Sequence, residues 1–197
     1  MPPTPKISQE EILSAAFTLV RTQGIDALGA RALANTLHLS TQPIFSHFPT
    51  MDALKQAVYE LAQKAYQNAL EQAVEAARLA HTPLYKATGL AYIRFARDER
   101  HLFHWLFMRD RSAETISEDA DSIAPILQIL QAQTGLDRDT AYRLHLESWI
   151  FVHGCATMLA TGYLPWDDAQ IDLFLRDMYL GFSNYFISQN PKPQKES

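Results

Sequence analysis

The chain has 197 residues, of which 47% are hydrophobic and 20% charged, and its formal net charge is −5. This composition excludes a largely disordered chain and a strongly basic nucleic-acid coat protein, and it suits one or two compact domains with a sizeable core. The single cysteine, Cys155, excludes an intrachain disulfide and a cysteine-based metal site.

The charge is unevenly distributed along the chain. Residues 1–56 hold four basic and four acidic residues, so the rest of the chain carries the whole net charge of −5. An acidic body repels DNA, and only the neutral N-terminal end is expected to dock on it. No signal peptide and no bilayer-length apolar run are present, so we expect a soluble, cytoplasmic protein without a membrane partner.

Helical periodicity runs through the chain, which shows no strand pattern, repeat or glycine-rich phosphate loop. The first helix is predicted to begin at a capping box of Ser8 and Glu11 and to end at Gly24. Six longer helices are predicted further along: Met51–Arg78, Pro83–Arg97, His101–Met108, Ser122–Gln133, one capped by Asp137 and ending near Thr161, and one from Asp167 or Asp168 through Tyr185.

Between the first and fourth helices lie two short helical patterns separated by a turn. The first covers Arg31–Thr36, the chain turns at His38, and Ser40 is predicted to cap the second. The spacing directs Ile44, Phe45 and Phe48 into a small core and leaves Thr41, Gln42, Ser46 and His47 facing outwards.

This stretch resembles the helix-turn-helix of the tetracycline-repressor (TetR) family. Arg31, Leu33 and Ala34 match the family's second helix, and Phe45-Ser46-His47-Phe48 matches the end of its recognition helix. The resemblance implies an all-α fold of about nine helices. It also implies a three-helix DNA-binding head over residues 6–66 and a helical ligand-binding and dimerisation body over residues 67–190.

Several positions depart from the family pattern. His38 stands where Gly is usual, so a positive φ is expected there. Phe45 replaces a Tyr and Met51 replaces a Lys, which removes a hydroxyl and a charge that commonly touch phosphate in the family.

The resemblance implies a double-stranded DNA operator, read by the recognition helix in the major groove. Gln42 is the best specificity candidate because its amide can pair bidentately with adenine. Arg31 and Lys55 would serve backbone phosphates. The full set of candidate DNA-binding residues is Arg31, Ser40, Thr41, Gln42, Phe45, Ser46, His47 and Lys55.

A second resemblance lies in the body. Trp149, His153 and Gly154 reproduce the Trp-x-x-x-His-Gly signature of a ligand domain found in some TetR-family regulators. A small apolar or aromatic effector with a hydrogen-bonding end is expected. The candidate ligand residues are Tyr92, Phe95, Phe103, Trp105, Phe107, Met108, Trp149, His153 and Met158. His153 has two open interpretations, as a core partner of Trp149 or as a ligand contact.

In the family, the last two helices of each chain form a four-helix dimer interface, so a homodimer is expected. The last helix carries more apolar surface than one neighbour needs, and small residues on the eighth helix would permit close approach. The candidate interface residues are Ala156, Ala160, Phe174, Met178, Gly181, Phe182 and Tyr185.

Other functions find less support in the sequence. His101 and His104 could begin a metal site with His145, Glu147 and His153, but no compact ligand spacing is present. Paired carboxylates lie at helix boundaries, where capping explains them. We therefore expect no metal, no cofactor and no catalytic residues. The alternative kept open is a helical small-molecule-binding protein whose head has weak or lost DNA affinity.

Overall fold

The computed structural model describes residues 7–110, 112 and 123–190. Over these residues the protein consists of α-helices, one 3₁₀ turn (Ile25–Ala27) and no strand, which confirms the predicted all-α fold. The described helices are α1 (Gln9–Gln23), α2 (Ala30–Thr36), α3 (Gln42–His47), α4 (Met51–Leu79), α5 (Leu84–Asp98), α6 (Arg100–Phe107), α7 (Ala124–Thr134), α8 (Arg138–Ala160) and α9 (Asp168–Gln189).

Three predicted helix starts are confirmed by their capping hydrogen bonds. Ser8 Oγ accepts from the Glu11 backbone N–H at 3.1 Å, and the Glu11 carboxylate accepts in return from the Ser8 N–H at 2.7 Å. Asp137 and Asp167 accept in the same way at the starts of α8 and α9, at 3.0 and 2.9 Å. These bonds satisfy N–H groups that the first helical turn leaves unpaired.

The start of α3 differs from the prediction. Thr41, not Ser40, occupies the cap position, and no side chain caps the helix. Pro43 follows at the second helical position, where its missing N–H removes no helical hydrogen bond. Proline therefore sets the start of this helix without a capping hydroxyl.

One compact unit comprises the described residues up to Asn68 together with Glu99–Arg109. At its centre lies α1, which packs against α2, α3 and α6. The buried side of α1 consists of Ile12, Ala16, Leu19 and Val20. Ile44 and Phe48 are buried one helical turn apart in this unit. Phe45, predicted to join that core, is 43% exposed, because it lies about 100° further round the helix.

The other unit comprises Ala69–Asp98 together with the described residues from Asp110 on. Within it, α8 packs against α5, α7 and α9. Part of its core is a buried cluster of Tyr85, Leu130, Leu136, Ala141, Leu144 and Phe186. The carboxylate of Asp168 accepts from Arg94 and Arg97, each at 2.7 Å, which ties the start of α9 to α5.

The unit boundaries interleave along the chain. The helix α6 belongs with the N-terminal helices, although α5 precedes it in the sequence. The predicted domain bounds of 6–66 and 67–190 stay predictions.

None of the helices within the described ranges combines the length and apolar character needed to cross a membrane.

The backbone at the turn between α2 and α3 is strained. His38 has φ 55°, which confirms the expected positive φ and shows a residue with a Cβ in the left-handed region.

We predict that His38→Gly raises the free energy of unfolding by up to about 1 kcal/mol, because the relieved strain exceeds the added chain entropy of glycine. Urea unfolding followed by circular dichroism measures it. His38→Ala keeps the Cβ and should give no gain; an equal gain would assign the effect to loss of the imidazole.

Candidate functional site

The outer face of α3 is the candidate DNA-reading surface. Because Ile44 and Phe48 face inwards, the residues between and before them face out. Gln42, the first residue of α3, is exposed and has no hydrogen-bond partner among the described residues. Phe45 follows three residues later on the same side, also exposed. The surface therefore presents an amide and an aromatic ring side by side.

Two of the predicted readers are already engaged inside the protein. Ser46 Oγ donates to the Pro43 carbonyl at 2.7 Å. His47 Nε2 lies 3.0 Å from the Ile7 carbonyl, and because a carbonyl only accepts, Nε2 carries the proton. Thr41 is half-buried at the cap position. Ser46 and His47 thus have less hydrogen-bonding capacity for bases than the sequence indicates.

Some basic side chains of this unit are held in ion pairs, and others are not paired with a described carboxylate. Arg21 donates two hydrogen bonds to the Glu99 carboxylate, one of them from Nε at 2.7 Å, and this contact raises the pKa of Arg21. Arg31 is exposed and Lys55 half-buried, and neither has an ion-pair partner within the described part of the chain. Ser40 is exposed at the turn before α3. Within the described part of the chain, no carboxylate therefore neutralises the charges of Arg31 and Lys55.

The predicted effector residues do not all lie in one unit. Tyr92, Phe95, Trp149, His153 and Met158 belong to the unit built around α8, whereas Phe103, Trp105, Phe107 and Met108 belong to the unit built around α1. The sequence placed all nine in one body because it assigned α6 to the C-terminal domain.

Three of these residues meet on α5 and α8. The Tyr92 hydroxyl lies 2.7 Å from His153 Nδ1. Trp149 stacks on the His153 ring, with centroids 5.1 Å apart and planes 23° apart, as the four-residue spacing predicted. Phe95 is buried on α5, whereas Met158 is 45% exposed on α8. An internal hydrogen bond of His153 is thus present, and its contact with an effector stays a prediction.

The aromatic residues of α6 pack against α4. Trp105 contacts Tyr59 edge to face at 5.3 Å, and Phe107 contacts Tyr66 in the same way at 5.1 Å. Phe103 is almost fully buried. Such pairs stabilise a core beyond the area they bury. These rings therefore already have a structural role within their unit.

A second tyrosine–histidine pair was missed by the sequence analysis. The Tyr85 hydroxyl lies 3.1 Å from His145 Nδ1, and burial lowers the pKa of His145 to about 4, so this imidazole is neutral at pH 7. The signal was available, because Tyr85 precedes Tyr92 by seven residues and His145 precedes His153 by eight, which are helical repeats. We call these four residues the tyrosine–histidine seam. Both ends of the seam lie on α5 and α8.

The candidate dimer residues separate into surface and core. Gly181 is exposed, and a Cβ there would meet no atom of the described residues within 4 Å; Tyr185 is 60% exposed. Ala156 is 0% exposed and Met178 is buried, so their own chain shields them, and a partner could not touch Ala156. Ala160, Phe174 and Phe182 are half-buried.

Two further surface residues on α8 were missed. Phe151 is exposed and stacks on Phe174, with ring centroids 4.8 Å apart. Gly154 is exposed one turn later, and a Cβ there would meet no atom of the described ranges within 4 Å. Phe151 and Met158 are both exposed and share a helix face at a spacing of seven residues. The spacing from Met158 could have identified Phe151 from the sequence. We define the outer α8–α9 face as Phe151, Gly154, Met158, Phe174, Gly181 and Tyr185.

A metal centre finds no support in the described residues, where no three His, Cys, Asp or Glu side chains converge on one point. His101, one of the residues weighed as a ligand, instead lies against Gly24 at the end of α1. A Cβ at Gly24 would come within 3.3 Å of the His101 ring.

Two family models match the chain. The model described as bacterial regulatory proteins of the tetR family matches residues 12–58, and the model described as tetracyclin repressor-like, C-terminal domain, matches residues 85–180. The first match includes α2 and α3 with the whole candidate DNA-reading surface. The second includes the tyrosine–histidine seam and most of the outer α8–α9 face.

Relatives of known sequence or structure agree with these matches. An uncharacterized HTH-type transcriptional regulator of Mycobacterium tuberculosis is 26% identical over 178 residues, which cover 89% of this chain and 79% of that protein. A solved structure of a TetR-family member from Streptomyces coelicolor A3 has the same fold, with a TM-score of 0.58 at 20% identity over 86% of this chain and 96% of that one. This chain therefore belongs to the TetR family of transcriptional regulators and carries its helix-turn-helix DNA-binding domain.

Proposed function

We propose that the protein is a cytoplasmic, ligand-responsive repressor that binds a near-palindromic operator as a homodimer. The observation that carries the DNA-binding part is the outer face of α3, where Gln42 is exposed and uncommitted while Arg31 and Lys55 keep charges that no described carboxylate neutralises. Sequence-specific binding requires groups that read bases and cations that hold phosphates, and the helix-turn-helix with the start of α4 carries both.

A two-fold dimer presents two such surfaces. Their spacing is expected to match about one helical turn of DNA, so that both enter successive major grooves. Few cations serve each head, and the rest of the chain is acidic, so the fall of affinity with salt is expected to be shallow for a repressor.

We predict that Arg31→Ala weakens binding to all duplex sequences similarly and lowers the salt slope by about two in a dimer, one for each lost phosphate contact. Fluorescence anisotropy over a salt series, on DNA from upstream of the protein's own coding region, measures both quantities. Arg138→Ala removes the same charge from the start of α8 and serves as the matched control.

Equal effects of the two substitutions would remove Arg31 from the phosphate-binding role. If the wild-type protein fails to shift that DNA and any other genomic fragment, the alternative function as a small-molecule-binding protein gains the support that the repressor loses.

The dimer proposal rests on the outer α8–α9 face. Aromatic and aliphatic side chains remain exposed there on two adjacent helices, and apolar area of this kind is typical of an interface. Exposed glycines on both helices allow another backbone to approach closely. A second copy of the same face would bury these side chains in an isologous interface.

We predict that Gly181→Arg yields folded monomers. No atom of the described residues would lie within 4 Å of a Cβ at this position, so the added side chain is expected to leave the fold intact and to clash only with a partner. Light scattering at micromolar concentration reports the mass, and circular dichroism reports the fold. Gly29→Arg, at another site with open space, is the control and should remain dimeric. A wild-type monomer would contradict the proposal.

The effector proposal rests on the contacts of Tyr92, Trp149 and His153. A stacked indole–imidazole pair with a buried phenol at hydrogen-bond distance offers aromatic surface and polar atoms together, which a small-molecule site requires. We propose that an apolar or aromatic effector with a hydrogen-bonding end favours a dimer conformation with the wrong head spacing. The free protein then holds the operator, and the effector releases it.

We predict that a ligand found by thermal-shift screening binds more weakly when operator DNA is present. Reciprocal linkage requires the same factor in both directions, about 5- to 150-fold for a coupling of about 1–3 kcal/mol. Calorimetry with and without operator measures it. Tyr92→Phe should weaken the ligand, whereas Tyr85→Phe removes the equivalent hydroxyl at the other end of the seam and should not. Equal ligand affinity with and without DNA would contradict the mechanism.

A further inference from the structure

The recognition helix carries an unusual set of side chains for a DNA reader. Residues 40–48 contain no Arg, Lys, Asp or Glu. Arg and Lys are the usual partners of guanine O6 and N7, and Asp and Glu accept from the cytosine amino group. A helix without these residues lacks the strongest means of selecting a G·C pair.

Hydrogen bonds inside the protein reduce the number of side chains on this helix that are available to contact base edges. The Ser46 hydroxyl proton is given to Pro43, and the proton on His47 Nε2 is given to Ile7. Gln42 remains, with an exposed amide that has no partner among the described residues. Phe45, three residues further on, exposes an aromatic ring to solvent. An exposed ring contributes no burial free energy until a partner covers it.

The two side chains are placed to reach neighbouring base pairs. Residues three apart on a helix share a face and are separated by a rise of about 4.5 Å, close to the spacing of about 3.4 Å between successive bases on one strand. A glutamine amide pairs bidentately with adenine N6 and N7, and a phenylalanine ring contacts the C5-methyl group of thymine. Both groups select A·T pairs.

We propose that Gln42 and Phe45 read two neighbouring A·T pairs in each operator half-site, Gln42 through adenine and Phe45 through a thymine methyl group. Phe45 is then a specificity-determining residue, a role distinct from the phosphate contact of the tyrosine usual at this position in the family. This inference rests on the proposed operator binding and adds the identity of the bases.

The test removes one methyl group at a time from the DNA. Duplexes are first selected from a randomised library with the wild-type chain, and each thymine of a selected duplex is then replaced by uracil. Fluorescence anisotropy gives the dissociation constants of the wild type, Phe45→Ala and Phe45→Leu. Phe45 is exposed, so these variants are expected to fold, and circular dichroism checks that they do.

The expected result is one thymine per half-site whose replacement weakens the wild type about fourfold, the effect of one buried methyl group. Phe45→Ala should be insensitive to that replacement, and Phe45→Leu, which keeps an apolar contact, should stay sensitive. In a parallel selection, Gln42→Ala should lose the preference for adenine at the adjacent pair.

Equal sensitivity to uracil in the wild type and Phe45→Ala would overturn the inference, as would selected half-sites that lack neighbouring A·T pairs. In both cases the protein still binds DNA and the proposed function stands. Retention of no duplex at all would overturn the proposed function, and the base assignment with it.

Discussion

The packing of α3 against α1 is the constraint on which the DNA-binding head depends. A helix of six residues has too few internal hydrogen bonds to hold its shape in water. Ile44 and Phe48 supply the missing stabilisation, because they are buried one turn apart in the core of the unit centred on α1. The inward direction of these two residues fixes the outward direction of Gln42 and Phe45. The candidate DNA-reading surface is therefore determined by the core behind it.

The unit built around α8 joins polar and aromatic groups at the contact between α5 and α8. Tyrosine hydroxyls in the interior need partners, and each tyrosine of the seam lies within hydrogen-bond distance of a histidine Nδ1. Polar pairs of this kind favour one register of the two helices, because a shift along either helix would break both tyrosine–histidine contacts.

The sequence predicted the helices, the caps Ser8 and Asp137, and a start of the last helix at Asp167 or Asp168, because each depends on residues close in the chain. The positive φ of His38 followed from the family pattern, in which Gly is usual at this position. Sequence analysis failed where the answer depends on distant partners. Phe45 and Ala156 are both apolar, and only the helices packed around them leave one exposed and bury the other. The contact between His47 and Ile7 likewise joins residues far apart in the chain.

The end of α1 is joined to the beginning of α6. Arg21 donates two hydrogen bonds to Glu99, and three residues later a Cβ at Gly24 would come within 3.3 Å of the His101 ring. The two sites lie close together and connect the last turn of α1 with the first turn of α6. A side chain at position 24 would push against the His101 ring, so the missing Cβ of glycine is what lets these two helix ends come together.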